Sequence, residues 1–323
     1  MRKLLDPRER HFQIPSWRPG LSLFARQLAP PEHLPKRGTV LYVHGATFPS
    51  ALSIAHRFDG RSWRDELCAA GFDVWAFDFH GFGGSDAYPE MTEPAEEREP
   101  LCRSDDASRQ IEEVVHFICH THAAPRISLI AHSWGTIATG CFAARCPELV
   151  DRLVVFGPIA RRTSQQDPPR YPAWRLVSLQ DQWDRFTAEV PPGATPVLAC
   201  RHFEPWGEAY LDSDSASRSR SPASVKTPSG PWHDIAQAWT GDLGYDPALV
   251  RAPVMLIRGE WDSMCADADA AWLFNAFAAS PIRRDVKISR ATHLMHLEAS
   301  RYALYREAEA FLLARDMPTD HAS

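Results

Sequence analysis

Short apolar runs alternate with amphipathic stretches through the first half of the chain, and their spacing assigns each to a strand or a helix. TVLYVHG (39–45) is apolar and rich in β-branched residues, the pattern of a strand buried on both faces. Ser62 to Ala70 repeats its apolar residues at helical spacing and is closed by Gly71 in a C-cap position. DVWAFDF (73–79) predicts the next strand, with a glycine-rich loop after it. Ser104 to about Thr121 predicts a long helix with Ser104 as its N-cap. RISLIAHS (126–133), a helix from Trp134 to about Arg145, and RLVVFGP (152–158) continue the series. Strand–helix alternation of this kind predicts an α/β fold, a mostly parallel twisted sheet with helices on both faces.

The rhythm breaks between about Ala160 and Val250, then resumes with PVMLIRGE (253–260), a helix near Ala266–Ala278, DVKISRAT (285–292) and a final helix from about Arg301. The interrupted stretch carries Trp174, Trp183, Phe186, Trp206, Tyr210, Trp232 and Trp239. An aromatic-rich insertion between two strands is expected to cap the carboxyl edge of the sheet, where open α/β sheets bind ligands. The organisation expected is therefore a core of residues 1–159 and 251–323 and a mainly helical cap of residues 160–250. Within the cap, the polar segment 213–230 has too little apolar surface to order itself by burial. It is expected to be a mobile lid segment or a plain surface loop.

The pattern small-x-Ser-x-small occurs at Ala131-His132-Ser133-Trp134-Gly135, where Ser133 ends an apolar strand and opens a helix. A nucleophilic serine on such a strained turn needs small neighbours two residues away. The same pattern at Ala51-Leu52-Ser53-Ile54-Ala55 has no strand before it, which leaves Ser133 as the candidate. A serine hydroxyl needs a base, and ATHLMHLE (291–298) offers His293, directly after a strand, and His296. His293 is preferred, with His296 read as a packing or helix-start residue. The carboxylate that orients the base is read as Asp262, three residues after PVMLIRG, ahead of Glu260, Asp267 and Asp269. GPIARR, after the preceding strand, holds no acid.

The motifs HGAT (44–47), DFHGFGGSD (78–86), AHSWG (131–135), RGEWD (258–262) and ATHLMHLE (291–298) together resemble the α/β-hydrolase superfamily, in its order Ser–Asp–His. The resemblance runs from about Thr39 to the final helix and departs from the family at Ala131, where glycine is commoner. It implies an oxyanion hole built from the backbone N–H of Ala46, or of Thr47, and that of Trp134. It also implies that Asp78 and Asp86 organise a loop rather than catalyse. Hydrolysis through a covalent acyl-serine follows, with an ester of a small, partly apolar molecule as the default substrate. Amide or peptide cleavage, thioester release and carbon–carbon hydrolysis use the same triad and stay open. So does a non-catalytic ligand-binding protein on this fold. Aspartate-nucleophile relatives are disfavoured by the serine at 133. Thr47, Trp206 and Trp232 are candidate substrate contacts, and Glu204 and Glu208 are the cap acids that would hold an amine in an aminopeptidase.

Composition narrows the partners. Charged residues make up 24% of 323 residues and the formal net charge is −6, so no basic field draws nucleic acid. The amino-terminal MRKLLDPRER has no apolar run of signal-peptide length, and no segment is long and apolar enough to span a bilayer. Seven cysteines without a CxxC pair fit a reducing compartment, and a cytoplasmic location is expected. His116 and His120 share a helix face, but with no third ligand in view no metal is expected. GFGGS (81–85) lacks the ending of a phosphate loop, so no nucleotide or other cofactor is expected.

Overall fold

The computed structural model describes residues 4–122, 124–164 and 167–314, so residues 1–3 of the amino-terminal reading lie outside it. The chain opens with an antiparallel pair, β1 (Arg10–Pro15) and β2 (Ser22–Leu28), which pattern reading did not anticipate. Then follow β3 (Gly38–Val43), α1 (Trp63–Ala69), β4 (Phe72–Asp78), α2 (Ser104–His122), β5 (Ile127–His132), α3 (Gly135–Arg145) and β6 (Val150–Phe156). After β6 come β7 (Trp174–Ser178), α4 (Leu179–Thr187), α5 (Cys200–Leu211), β8 (Ser224–Pro228) and α6 (Gly230–Trp239). The chain closes with β9 (Val254–Gly259), α7 (Asp267–Ala276), β10 (Arg283–Ile288) and α8 (Arg301–Leu313).

Eight strands form one sheet in the order β1-β2-β4-β3-β5-β6-β9-β10. β2 pairs antiparallel with β4, and every pairing from β4 to β10 is parallel. Alternating side chains feed two cores, as the two-residue strand period requires. Leu41, Val43, Leu129, Ala131, Leu153 and Val155 face α2 and α3, while Val40, Tyr42, Ile130, Val154 and Phe156 face α1 and α8. Because both faces are covered, the strands read as unbroken apolar runs.

The stretch between β6 and β9 packs in two ways. Val177, Phe186, Leu198, Trp206, Tyr210 and Val225 form a third core with Phe48 and Leu52, after β3, and with Leu294 and Leu297, after β10. It thus sits on loops that leave the carboxyl ends of the strands. By contrast, Ile235 and Ala238 of α6 belong to the main core beside α2 and α3. Residues 160–250 are therefore not one packing unit; the separate core draws on β7 through β8.

The polar segment 213–230 is ordered, contrary to expectation. β8 pairs antiparallel with β7, from Trp174 opposite Pro228 to Ser178 opposite Ser224. The Asp214 carboxylate accepts from the Ala216 amide at 2.9 Å, the Lys226 amide at 3.0 Å and Arg220 Nη1 at 2.6 Å. Ser217 Oγ donates to the Leu211 carbonyl at 2.6 Å. Hydrogen bonds and strand pairing supply the order that apolar burial does not.

Candidate active site

β5 ends at His132, and Ser133 takes φ +54°, a left-handed conformation rare for a non-glycine residue. The turn is held by the Ser133 amide donating to Phe156 O at 3.2 Å and by Thr136 Oγ1 donating to Ser133 O at 2.6 Å. Gly135 admits no side chain, since a Cβ there would collide with the His44 carbonyl oxygen. Ala131 is fully buried on the α2–α3 face, and its methyl group is accommodated there.

His293 meets Ser133 across 160 residues of chain, and Asp262 meets His293 across 31. Ser133 Oγ lies 2.7 Å from His293 Nε2, and His293 Nδ1 lies 3.0 and 3.2 Å from the two oxygens of Asp262. The carboxylate requires a proton on Nδ1, so Nε2 is the acceptor that faces the serine hydroxyl. Asp262 also accepts from the amides of Met264 at 2.9 Å and Cys265 at 3.1 Å, which fixes its rotamer. All three residues are buried. Gly157, at the end of β6, leaves room for the pair. A Cβ there would stand 2.9 Å from the His293 ring and 3.3 Å from Asp262 Oδ2, and its φ of +53° already disfavours a side chain.

The competing residues do other work. Glu260 accepts from the Arg290 amide at 2.8 Å. Asp269 pairs with Arg162 at 2.7 Å, and Asp267 with Arg258 and Lys287. Ser53 follows a short 3-10 turn, not a strand, and its hydroxyl donates to Pro49 O at 3.2 Å. Asp78 accepts from the Ser50 amide and hydroxyl and from the Gly84 amide, and Asp86 from the Ser22 amide, so both tie loops together. His296 is buried between His132 and Phe156, with its ring stacked on Phe48. Burial first, then His293 and Arg185, push its conjugate acid down to about 3, so it stays neutral.

The amides of Ala46 and Trp134 flank the serine and have no hydrogen-bond acceptor among the described residues; the same is true of Thr47. The loop that carries Ala46 approaches closely, since a Cβ on Gly45 would lie 3.2 Å from Ser133 Cβ. His44 braces it, with Nε2 accepting from the Phe79 amide at 3.1 Å and Nδ1 donating to Gly45 O at 2.7 Å.

Three residues that the sequence did not single out hold this arrangement. Glu189, between α4 and α5, accepts from the His293 amide at 2.7 Å and from the amide and hydroxyl of Ser263, next to Asp262. Asp234, on α6, accepts from the Trp134 indole at 2.9 Å, the Ser104 amide at 2.7 Å and Arg103. Burial raises its pKa, with Arg103 and these hydrogen bonds working against the rise. Arg185, on α4, donates from Nη1 to Thr47 Oγ1 at 2.7 Å.

The three candidate substrate contacts differ in their surroundings. Thr47 is buried under Arg185, and Trp232 carries the guanidinium groups of Arg175 and Arg185 over its ring at 5.4 and 5.3 Å. Trp206 lies in the aromatic packing of the third core. It is 1% exposed, stacks on Tyr210 and Phe203, meets Phe48 and Phe186 edge-on, and donates to Leu52 O at 2.9 Å. Glu204 and Glu208 are exposed, and Glu208 pairs with Arg218. His116 and His120 are exposed on α2, and no cluster of three metal-ligating side chains occurs among the described residues. Nor is any described helix long and apolar enough to cross a membrane.

Solved structures share this architecture. The thioesterase domain from the curacin biosynthetic pathway superposes with a TM-score of 0.62 at 15% identity, covering 95% of this chain and 99% of that one. An enol-lactonase from Burkholderia xenovorans LB400 gives 0.57 at 14% identity, over 95% and 100% of the two chains. A thermophilic esterase from Thermogutta terrifontis gives 0.57 at 18% identity, over 94% and 98%. At these identities the likeness is one of fold. No curated relative matches the sequence. The sequence itself matches the alpha/beta hydrolase fold family over residues 38–300, and with the sheet order above this places the chain in that family.

Proposed function

We propose that the protein is a serine hydrolase that cleaves an ester-type bond of a small molecule through an acyl-enzyme, with Ser133 as nucleophile, His293 as base and Asp262 as orienting acid. The observation that carries this reading is the unbroken hydrogen-bond relay from Asp262 through His293 to Ser133. In the first step His293 Nε2 takes the hydroxyl proton while Ser133 Oγ attacks the carbonyl carbon. Asp262 stabilises the imidazolium so formed. Negative charge collects on the carbonyl oxygen, opposite the free amides of Trp134 and of Ala46, or Thr47 in its place. His293 then protonates the departing alcohol, and the same base activates the water that releases the acid.

The α4–α5 region and its aromatic core act as a cap on this reading, since they pack on loops at the carboxyl edge of the sheet. Seven free cysteines support a reducing, cytoplasmic setting. An aminopeptidase reading gains no support from Glu204 and Glu208, which face solvent. A purely binding role is disfavoured by a strained serine held on a complete relay.

The test is a panel of p-nitrophenyl esters beside aminoacyl-p-nitroanilides, with intact-protein mass measured during turnover. Ester cleavage with an acyl adduct on Ser133 is expected. Anilide cleavage without ester cleavage would refute the ester reading.

A further inference from the structure

Two guanidinium groups stand over one indole ring beside the relay, and among the described residues neither has a carboxylate in ion-pair contact. Arg185 spends one N–H on Thr47 Oγ1, one residue beyond Ala46, and makes no ion pair among the described residues. The Arg175 guanidinium, from β7, has neither a hydrogen bond nor an ion pair among them. Both stand over the ring of Trp232, whose indole N–H is buried and also lacks a partner. The nearby acids act on these arginines only at a distance, because their hydrogen bonds go to other groups. Glu189 holds His293 and Ser263, and Asp181 caps α4 through Ser178. Burial pushes the Arg185 guanidinium down to about 10, with Glu189 the leading opposing influence and Arg175 adding to the fall. A desolvated guanidinium such as that of Arg185 is costly unless something anionic completes it.

Resting on the hydrolase reading above, we propose that Arg185 and Arg175 receive a carboxylate carried by the substrate, so that the protein prefers esters bearing a free acid group near the reacting carbonyl. An arginine fork matches a carboxylate in two parallel hydrogen bonds, and the cation–π contacts with Trp232 help hold both side chains in place.

The experiment compares mono-p-nitrophenyl succinate, glutarate and adipate with their methyl esters, which keep the chain and remove the charge. The wild type is expected to favour at least one acid over its methyl ester by tenfold or more in kcat/KM, and free glutarate or adipate to inhibit competitively. Arg185→Gln and, separately, Arg175→Gln are expected to bring that ratio toward one. A wild type that prefers every methyl ester overturns the proposal, as does an Arg185→Gln enzyme that loses rate while keeping the ratio. If Arg185→Gln does not fold, the wild-type ratio and Arg175→Gln decide. A fluorophosphonate run alongside separates the two readings: labelling at Ser133 with no preference for the acid refutes only the anion site, whereas no labelling refutes the hydrolase.

Discussion

Glu189 accepts a 2.7 Å hydrogen bond from the backbone amide of His293, 104 residues further along the chain. Its other oxygen takes Ser263, the neighbour of Asp262. One carboxylate from the region between β6 and β9 therefore fastens both the loop of His293 and the loop of Asp262. On the proposed mechanism, that region is part of what sets the geometry of the base and the acid.

Glu189→Gln keeps the shape but weakens charge-assisted bonds to both loops. We expect kcat to fall about tenfold or more, with a smaller change in KM, because a shift of the base costs rate rather than binding. Steady-state kinetics on the best ester checks this. A change confined to KM would assign Glu189 to substrate binding instead.

Gly157→Ala puts a methyl group against the His293 ring and forces a strained φ. A displacement of His293 by about 1 Å is expected to lower kcat on the order of 10²-fold. Activity close to wild type in a folded Gly157→Ala protein would mean the His293–Asp262 pair has room to spare.

Asp262→Asn is expected to leave the fold intact and cut turnover on the order of 10⁴-fold, because the histidine loses the tautomer that the serine needs. Glu260→Gln touches only the Arg290 amide and is expected to change turnover by less than threefold, roughly the scale of one exposed hydrogen bond. The reverse ranking, read from the same kinetics, would move the acid to Glu260.

Much of this was legible in the chain. The interior strands are apolar on both faces, so their runs stand out, and Ser133 is announced by the strand before it and Gly135 after it. β1 was missed because only Ile14 of its six residues is fully buried, which leaves almost no apolar signal. The order of residues 213–230 was invisible to hydropathy, since Asp214, Arg220 and Ser217 build it from hydrogen bonds. Glu189, Asp234 and Arg185 had no motif around them. Each is an isolated polar residue whose partner lies more than a hundred residues away or on another element, and only the folded chain brings them together.

Stability should fall on the acid side for a reason separate from catalysis. His296 titrates near 6.5 in an unfolded chain and at about 3 when folded, and burial moves His132 in the same direction. The folded state thus binds fewer protons through this window. The stability His296 contributes is complete above pH 6.5 and is lost as pH falls toward 3. Unfolding free energies from urea titrations are expected to drop between pH 7 and pH 5, and His296→Phe to shrink that drop by up to about 2 kcal/mol. An equal or larger drop in the variant would show that His296 is protonated in the fold.

The most direct test of the account is fluorophosphonate labelling of the folded protein, read as intact mass and then mapped to a peptide. One adduct on Ser133 is expected, absent in Ser133→Ala and kept in Ser53→Ala. A folded wild type that takes no label, or takes it at another serine, would contradict the claim that Ser133 is the nucleophile.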